Sequence, residues 1–167
     1  MKNSILEQLT FETGHLNFKG VRYMLIRPEV IAALQKSLEA EVGPEKCAEM
    51  MMAAGNVGGS KSSQRFKEVF NYNESEIVEF MCKMGGEIGW GIFRLEQLDL
   101  EQGKLVIEVG DSPFAAAYGP SDSSVCHLIR GVMAGLGGGI FGGEVTSLET
   151  TCAARGEARC RFEVQKR

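Results

Sequence analysis

Apolar residues recur every three or four positions in several stretches of the chain, which is the spacing of one face of an α-helix. Helices are predicted from Pro28 to Gly43 and again from Pro44, because proline favours the first helical turn and glycine favours the end. Residues 55–63 of the second helix are rich in glycine and serine and predict a kink or a loop. The apolar faces of these two helices are Val30, Ile31, Leu34 and Leu38, followed by Cys47, Met50, Met51 and Ala54.

Two further helices are predicted downstream. Asn73 and Glu76 have the spacing of a capping box, and the helix that follows presents an apolar face of Ile77, Phe80, Met81, Met84 and Ile88. A helix from Ser123 has the clearest periodicity in the chain, with Val125, Leu128, Ile129, Val132, Met133, Leu136 and Ile140 on one face. Gly131, Gly135 and Gly142 add small residues that would let another element come close.

Strands are predicted where apolar and polar residues alternate. They cover residues 15–26 with a turn at Lys19-Gly20, a hairpin of 92–100 with 104–109, and a closing pair at 144–151 and 158–164. Residues 111–120 are predicted to be a loop. Together these elements predict an α+β fold, in which an antiparallel sheet packs with about four helices.

Composition narrows the class of protein. A length of 167 residues suits one domain, predicted over residues 14–167, after a loosely held N-terminal arm of residues 1–13. The net charge of −4, without a basic block, argues against direct binding of nucleic acid. The sequence has no apolar run of about 20 residues, so no membrane span is expected. Five cysteines without a signal-peptide pattern indicate a reducing, cytoplasmic compartment.

Three of the five cysteines fall near the C-terminus with the pattern C-x22-E-x2-C-x7-C, formed by Cys126, Glu149, Cys152 and Cys160. A cap at Ser121 or Asp122 would place Cys126 in the first turn of the last helix, where the helix dipole favours a thiolate. A hairpin at Gly156 would bring Cys152 opposite Cys160. Glu149 would point to the other face of its strand unless that strand bends or bulges.

Three thiolates and one carboxylate suit a closed, tetrahedral, structural zinc site. An iron–sulfur cluster fits less well, because a fourth cysteine is missing. His127 is an alternative to Glu149, although neighbouring residues of a helix do not share a face. The other interpretations are that the cysteines are reduced and half-buried, or that Cys152 and Cys160 form a disulfide, which a reducing compartment disfavours.

The sequences CHLIRG at 126–131, ETTCAARG at 149–156 and CRF at 160–162 resemble the 4-vinyl-reductase domain family. That family also supplies the sensory domain of transcriptional activators that respond to phenol and other aromatics, and it shares its fold with TRAPP vesicle-tethering subunits. The resemblance implies zinc bound by Cys126, Glu149, Cys152 and Cys160. It also implies a cavity for a small hydrophobic molecule, and a homodimer.

The aromatic and methionine residues of the helices and of the loop at 111–120 are candidates for the lining of such a cavity, although the same residues are typical of an ordinary core. The indole of Trp90 or the hydroxyl of Tyr118 could orient a polar head group. The candidate ligand-binding residues are Phe66, Phe70, Met81, Met84, Trp90, Phe114 and Tyr118.

Two functions are consistent with these features. The first is a zinc-stabilised binding domain for a small aromatic, lipid or tetrapyrrole-like molecule, with a sensory or carrier role. The alternative is an enzyme or accessory factor in 4-vinyl reduction of (bacterio)chlorophyll. A reductase needs a hydride or electron donor, and the G-x-G-x-x-G match at 137–142 ends a helix instead of beginning one, unlike a dinucleotide-binding loop. Binding is therefore the favoured hypothesis.

Overall fold

The computed structural model describes residues 4–167, and within them it has five α-helices and seven strands. The helices are α1 Pro28–Val42, α2 Pro44–Phe70, α3 Glu74–Glu87, α4 Pro113–Tyr118 and α5 His127–Phe141. The strands are β1 Leu9–Glu12, β2 His15–Phe18, β3 Val21–Tyr23, β4 Ile92–Asp99, β5 Lys104–Gly110, β6 Val145–Thr151 and β7 Cys160–Lys166. Short 3₁₀ turns at Leu6–Gln8 and Ala153–Arg155 complete the secondary structure of this part of the chain.

The larger sheet has four antiparallel strands in the order β4-β5-β7-β6. The inner strand β5 is buried on both faces, because Val106 is as inaccessible as Leu105, Ile107 and Val109. The α+β class and the β4–β5 hairpin predicted from the sequence are confirmed. The helices pack with this sheet to form a core that includes Ile77, Met81, Ile129, Leu136 and Phe162.

Helix α2 is continuous over 27 residues, so the kink or loop predicted at residues 55–63 is wrong. Two of the glycines there, Gly55 and Gly59, lie against α5 at very short range. A Cβ atom at Gly59 would come within 2.2 Å of the Val132 carbonyl oxygen, and one at Gly135 within 2.4 Å of the Asn56 carbonyl oxygen. The two helices therefore pack backbone to backbone, and this contact compensates for the poor helix propensity of glycine.

The capping box is confirmed, since the Glu76 amide donates to the Asn73 side chain at 3.0 Å and the Asn73 amide donates to the Glu76 carboxylate at 2.8 Å. Residues 111–120 are not a loop as predicted, because α4 begins there at Pro113. The Ser112 hydroxyl caps this short helix by accepting from the Ala115 amide at 3.4 Å. Serine followed by proline is the ordinary sequence of a helix start.

The beginning of the chain differs from the loosely held arm that the sequence predicted. Residues 1–3 lie outside the described residues, but Ile5 is only 2% exposed and β1 pairs with β2 in a separate sheet of order β1-β2-β3. Strand β3 ends at Tyr23, three residues before the predicted end at Ile26. The residues Met24–Ile26 that follow it are exposed.

Helix α1 begins at Pro28 as predicted, but its apolar face is not in the core. Val30 and Leu34 are each 52% exposed, whereas the buried positions of the helix are Ala32 and Gln35. Among the helices of residues 4–167, none combines the length and the apolar character that crossing a bilayer requires.

Candidate functional site

The cysteine-rich pattern folds into one cluster where α5, β6 and β7 meet. Cys126 is the N-cap residue of α5, one position before the helix, so the prediction that it lies in the first helical turn is wrong. Its backbone amide donates a 3.0 Å hydrogen bond to Glu149 Oε2. Cys160 opens β7, and Cys152 follows β6 directly and caps the turn Ala153–Arg155.

A bulge in β6 brings Glu149 to the same side as the cysteines. Glu149 pairs with Phe162 and Thr151 pairs with Arg161, so one extra residue lies in β6 between these two pairs. An odd spacing along a regular strand would have put Glu149 and Cys152 on opposite faces. This is the bulge that the odd spacing between Glu149 and Cys152 requires if the two are to converge.

The four side chains have the spacing of ligands to one metal ion. One sulfur or oxygen atom from each of Cys126, Glu149, Cys152 and Cys160 lies within 4.8 Å of all the others. The sulfurs of Cys126 and Cys160 are 3.5 Å apart. Two sulfurs bound to one tetrahedral zinc ion lie about 3.8 Å apart, given Zn–S distances of about 2.3 Å. The three cysteines are fully buried free thiols, so neither half-buried cysteines nor the Cys152–Cys160 disulfide describes them.

Electrostatics at the cluster also suit a cation. Burial raises the pKa of Glu149 to about 8. Hydrogen bonds to Cys152 and then Cys160 raise the pKa of Cys126. Hydrogen bonds with Cys126 and then Cys160 lower the pKa of Cys152. Glu149 Oε1 is buried and has no hydrogen-bond partner within the described residues. A divalent ion would bond that oxygen and stabilise the ionised carboxylate, which burial alone disfavours.

His127 does not join this cluster, because the group of converging ligand atoms contains Glu149 and not the imidazole. The ring is buried and its Nδ1 has no hydrogen-bond partner among residues 4–167. Burial, followed by the charge of Arg130, lowers the pKa of His127. The donor set of three thiols and one carboxylate is therefore the one that would hold zinc here.

A second feature is an apolar cavity of about 210 Å³ between α2, α3, α5 and the β4–β5 hairpin, called here the ligand cavity. Its lining has no Asp, Glu, Lys or Arg side chain. The residues that line it are Tyr23, Gly58, Ser62, Met81, Cys82, Met84, Gly85, Ile88, Trp90, Phe93, Ile107, Val132, Met133 and Leu136.

Three of the predicted ligand-binding residues, Met81, Met84 and Trp90, line the ligand cavity. Phe66 and Phe70 line a neighbouring surface groove instead. The remaining two predicted residues, Phe114 and Tyr118, line neither the ligand cavity nor this groove.

Phe114 packs edge-on against Trp90 with ring centroids 5.1 Å apart, from outside the ligand cavity. The Tyr118 hydroxyl donates a 2.6 Å hydrogen bond to Glu39 on α1.

Other lining residues were not singled out from the sequence. Val132, Met133 and Leu136 belonged to the predicted apolar face of α5, and the periodicity of that helix was the signal that could have found them. Gly58 and Ser62 fall in the stretch of α2 that was predicted as a kink. Tyr23 comes from the separate β1-β2-β3 sheet, and no sequence pattern links that sheet to the cavity.

With the fold, the cysteine cluster and the apolar cavity described, the chain can be compared with known proteins. Residues 105–166 match the model of the 4-vinyl-reductase domain. Residues 4–101, more than half of the chain, match the family described as activator of aromatic catabolism. The chain belongs to this family, and the resemblance seen in its cysteine motifs is confirmed. No curated protein sequence matches the chain.

Solved structures share the fold. The phenol-responsive sensory domain of the transcription activator PoxR, solved with phenol, aligns with a TM-score of 0.84 and 18% identity over 96% of this chain and 86% of that one. A vinyl-4-reductase family protein from Methanocaldococcus jannaschii aligns with a TM-score of 0.58 and 16% identity, covering 86% and 83% of the two chains.

A third related structure is trafficking protein particle complex subunit 3 from Naegleria fowleri, covalently bound to palmitic acid. It aligns with a TM-score of 0.55 and 12% identity, over 83% of this chain and 93% of that one. The TRAPP-like and 4-vinyl-reductase-like fold that the resemblance implied is therefore confirmed.

Proposed function

We propose that this protein is a sensory domain that binds a small, neutral, apolar molecule of about the size of one substituted aromatic ring. The observation that carries the proposal is the ligand cavity, which is apolar and about 210 Å³ in volume. A buried apolar cavity of roughly 150 Å³ is enough to bind benzene. The similarity to a phenol-responsive sensory domain supports the same class of ligand.

The polar atoms around the cavity support a neutral ligand with one hydroxyl group. Ser62 and Tyr23, whose side chains carry hydroxyl groups, and Trp90, whose indole carries an N–H, are among its lining residues. Burial raises the pKa of Tyr23, so its hydroxyl keeps its proton and can donate. An ionised ligand would lose its hydration in this lining without meeting an opposite charge, which costs several kcal/mol.

We propose further that the cysteine cluster holds one structural zinc ion. Its four ligand atoms would come from Cys126, Glu149, Cys152 and Cys160, which leaves no open position for a substrate. The ion would supply a cross-link between the start of α5 and strands β6 and β7. Because α5 also lines the ligand cavity, this cross-link would hold one wall of the cavity in place.

We also propose that the protein is a homodimer. The support is a set of exposed apolar residues on α1 and in the segment between β3 and α1, which a second copy could bury. It consists of Met24, Leu25, Ile26, Val30 and Leu34. These residues are called here the α1 surface.

Fluorescence of Trp90 tests the ligand proposal, because it is the single tryptophan of the chain and lines the cavity. Titration with phenol is expected to give a saturable change with one site per chain, and benzoate is expected to bind at least about tenfold more weakly because of its charge. Gly58→Leu is expected to abolish phenol binding by filling the cavity.

The matched control is Gly58→Ala, which adds one methyl group at a position where a Cβ atom meets no other atom within 4 Å. It is expected to bind phenol within a few-fold of the natural protein. Equal affinity for benzoate and phenol, or full phenol binding by folded Gly58→Leu, would contradict the proposal.

A further inference from the structure

A second apolar cavity of about 260 Å³ lies beside the ligand cavity, beneath the first strands of the chain, and is called here the N-terminal cavity. It lies between the 3₁₀ turn at Leu6–Gln8, the β1-β2-β3 sheet and the end of α3. Apart from the four residues that it shares with the ligand cavity, its lining is Ile5, Leu6, Leu9, Leu16, Phe18, Met24, Leu25, Ile26 and Glu87.

The two cavities share one wall made of four residues. Tyr23, Met84, Ile88 and Trp90 line both of them. Methionine is unbranched and has three rotatable bonds, so its side chain adapts readily to a neighbouring group. Met84 lies in this shared wall, so a rotation of its side chain would change the boundary between the two cavities.

The one charged side chain in the lining of the N-terminal cavity is already engaged. The Glu87 carboxylate accepts a 2.6 Å hydrogen bond from the Ile5 amide and a 3.0 Å hydrogen bond from the Ser4 hydroxyl. It also lies 4.0 Å from the Lys83 ammonium group. The rest of the lining is apolar or aromatic, so this cavity suits a hydrocarbon chain and not a charged or strongly polar group.

We infer that the natural ligand is an aromatic ring with an alkyl chain, the ring in the ligand cavity and the chain passing Met84 into the N-terminal cavity. The inference rests on the proposed function, because it assumes that the ligand cavity binds the ring. It goes beyond that proposal by assigning a second subsite and by naming the class of ligand as alkylphenol-like. Leu9 and Leu16 would contact the chain and set its length.

A homologous series of ligands tests this inference. Phenol, 4-ethylphenol, 4-butylphenol and 4-hexylphenol are titrated into the natural protein, with Trp90 fluorescence as the signal and calorimetry for stoichiometry. Each methylene group that enters an apolar site is expected to tighten binding about fourfold. The expected result is a rise in affinity from ethyl to hexyl at a constant stoichiometry of one ligand per chain.

Leu9→Phe is the informative variant, because Leu9 lines the N-terminal cavity and not the ligand cavity. It is expected to bind phenol within about twofold of the natural protein and to lose most of the gain from the butyl and hexyl chains. Leu148→Phe makes the same change at an exposed leucine of β6 and is expected to keep the whole gain. Leu16→Phe serves as the second variant if Leu9→Phe does not fold.

The outcomes separate the two proposals. If phenol binds but affinity stays flat or falls with chain length, the second subsite is wrong and the proposed function stands. Full retention of the chain-length gain by both folded Leu9→Phe and Leu16→Phe would also overturn the subsite. If no member of the series binds saturably, the proposed function itself fails.

Discussion

Cys152 lies at the centre of the cysteine cluster, and its substitution is the sharpest test of the zinc proposal. Metal binding is coupled to folding, so Cys152→Ser is expected to lose the ion and to unfold at a temperature lower by at least about 5 °C. Native mass spectrometry gives the bound zinc per chain, expected to fall from one to near zero, and calorimetry gives the melting temperature.

Cys47→Ser is the matched control, because Cys47 is equally buried but lies outside the cluster, where its thiol donates to the Gln35 carbonyl at 3.4 Å. A serine hydroxyl can make the same hydrogen bond, so this variant is expected to keep its zinc. If the natural protein carries no metal and both variants melt at the same temperature as the natural protein, the zinc proposal is wrong.

For single residues, the sequence indicated which side chains could form the cysteine cluster, but not the backbone geometry that brings them together. The spacing C-x22-E-x2-C-x7-C was enough to select the four residues of the cluster. The position of Glu149 depends on the bulge between Glu149 and Thr151, and that bulge follows from pairing with β7. Pairing between strands is a tertiary property, so local sequence could state the bulge only as a condition.

Helices α2 and α5 both line the ligand cavity, and their close contact can be tested at two neighbouring glycines of α2. In Gly59→Ala the new methyl group would lie 2.2 Å from the Val132 carbonyl oxygen, so α2 and α5 must separate. The expected loss is about 3 kcal/mol in the free energy of unfolding, the upper end of the range for overpacking. Denaturant unfolding followed by circular dichroism measures it.

Gly58→Ala is the control, one residue along the same helix, where a Cβ atom meets no other atom within 4 Å. Its expected effect is a gain of about 0.5–1 kcal/mol, because alanine replaces glycine inside a helix. An equal effect of the two substitutions would contradict close packing of α2 against α5.

The prediction of elements from sequence failed where packing opposes local preference. The stretch Gly55–Ser63 has poor helix propensity, yet α2 continues through it because α5 fills the space that side chains would take. Val30 and Leu34 of α1 have the spacing of one apolar helix face, yet both side chains are exposed. Periodicity therefore identified the α1 helix correctly, but it could not tell whether the core or another surface covers the apolar face.

At the scale of the whole molecule, the sequence was enough for the fold class and not for the cavities. The α+β class followed from the order and periodicity of the elements. The ligand cavity combines Tyr23 of β3 with side chains from α2, α3, α5 and the β4–β5 hairpin. These positions are far apart in the chain, and only packing of the complete molecule brings them together.

The proposed homodimer is a property of the whole molecule, and the α1 surface makes it testable. Leu25 is 90% exposed and Leu34 is 52% exposed, so one substitution falls in the segment before α1 and the other on α1 itself. Light scattering after size exclusion is expected to give twice the chain mass of 18.2 kDa for the natural protein. The double variant Leu25→Glu, Leu34→Glu is expected to elute as a monomer, because each interface would place two glutamates of each chain in an apolar contact.

Leu148→Glu is the matched control for this double variant, since Leu148 is 59% exposed on β6, in the other sheet. Leu148→Glu is expected to remain a dimer. If the natural protein is a monomer, the dimer proposal is wrong. If the double variant stays dimeric, the interface does not include the α1 surface. If the double variant is a folded monomer that still binds phenol, dimer formation and ligand binding are separable, and the cavity of each chain is complete on its own.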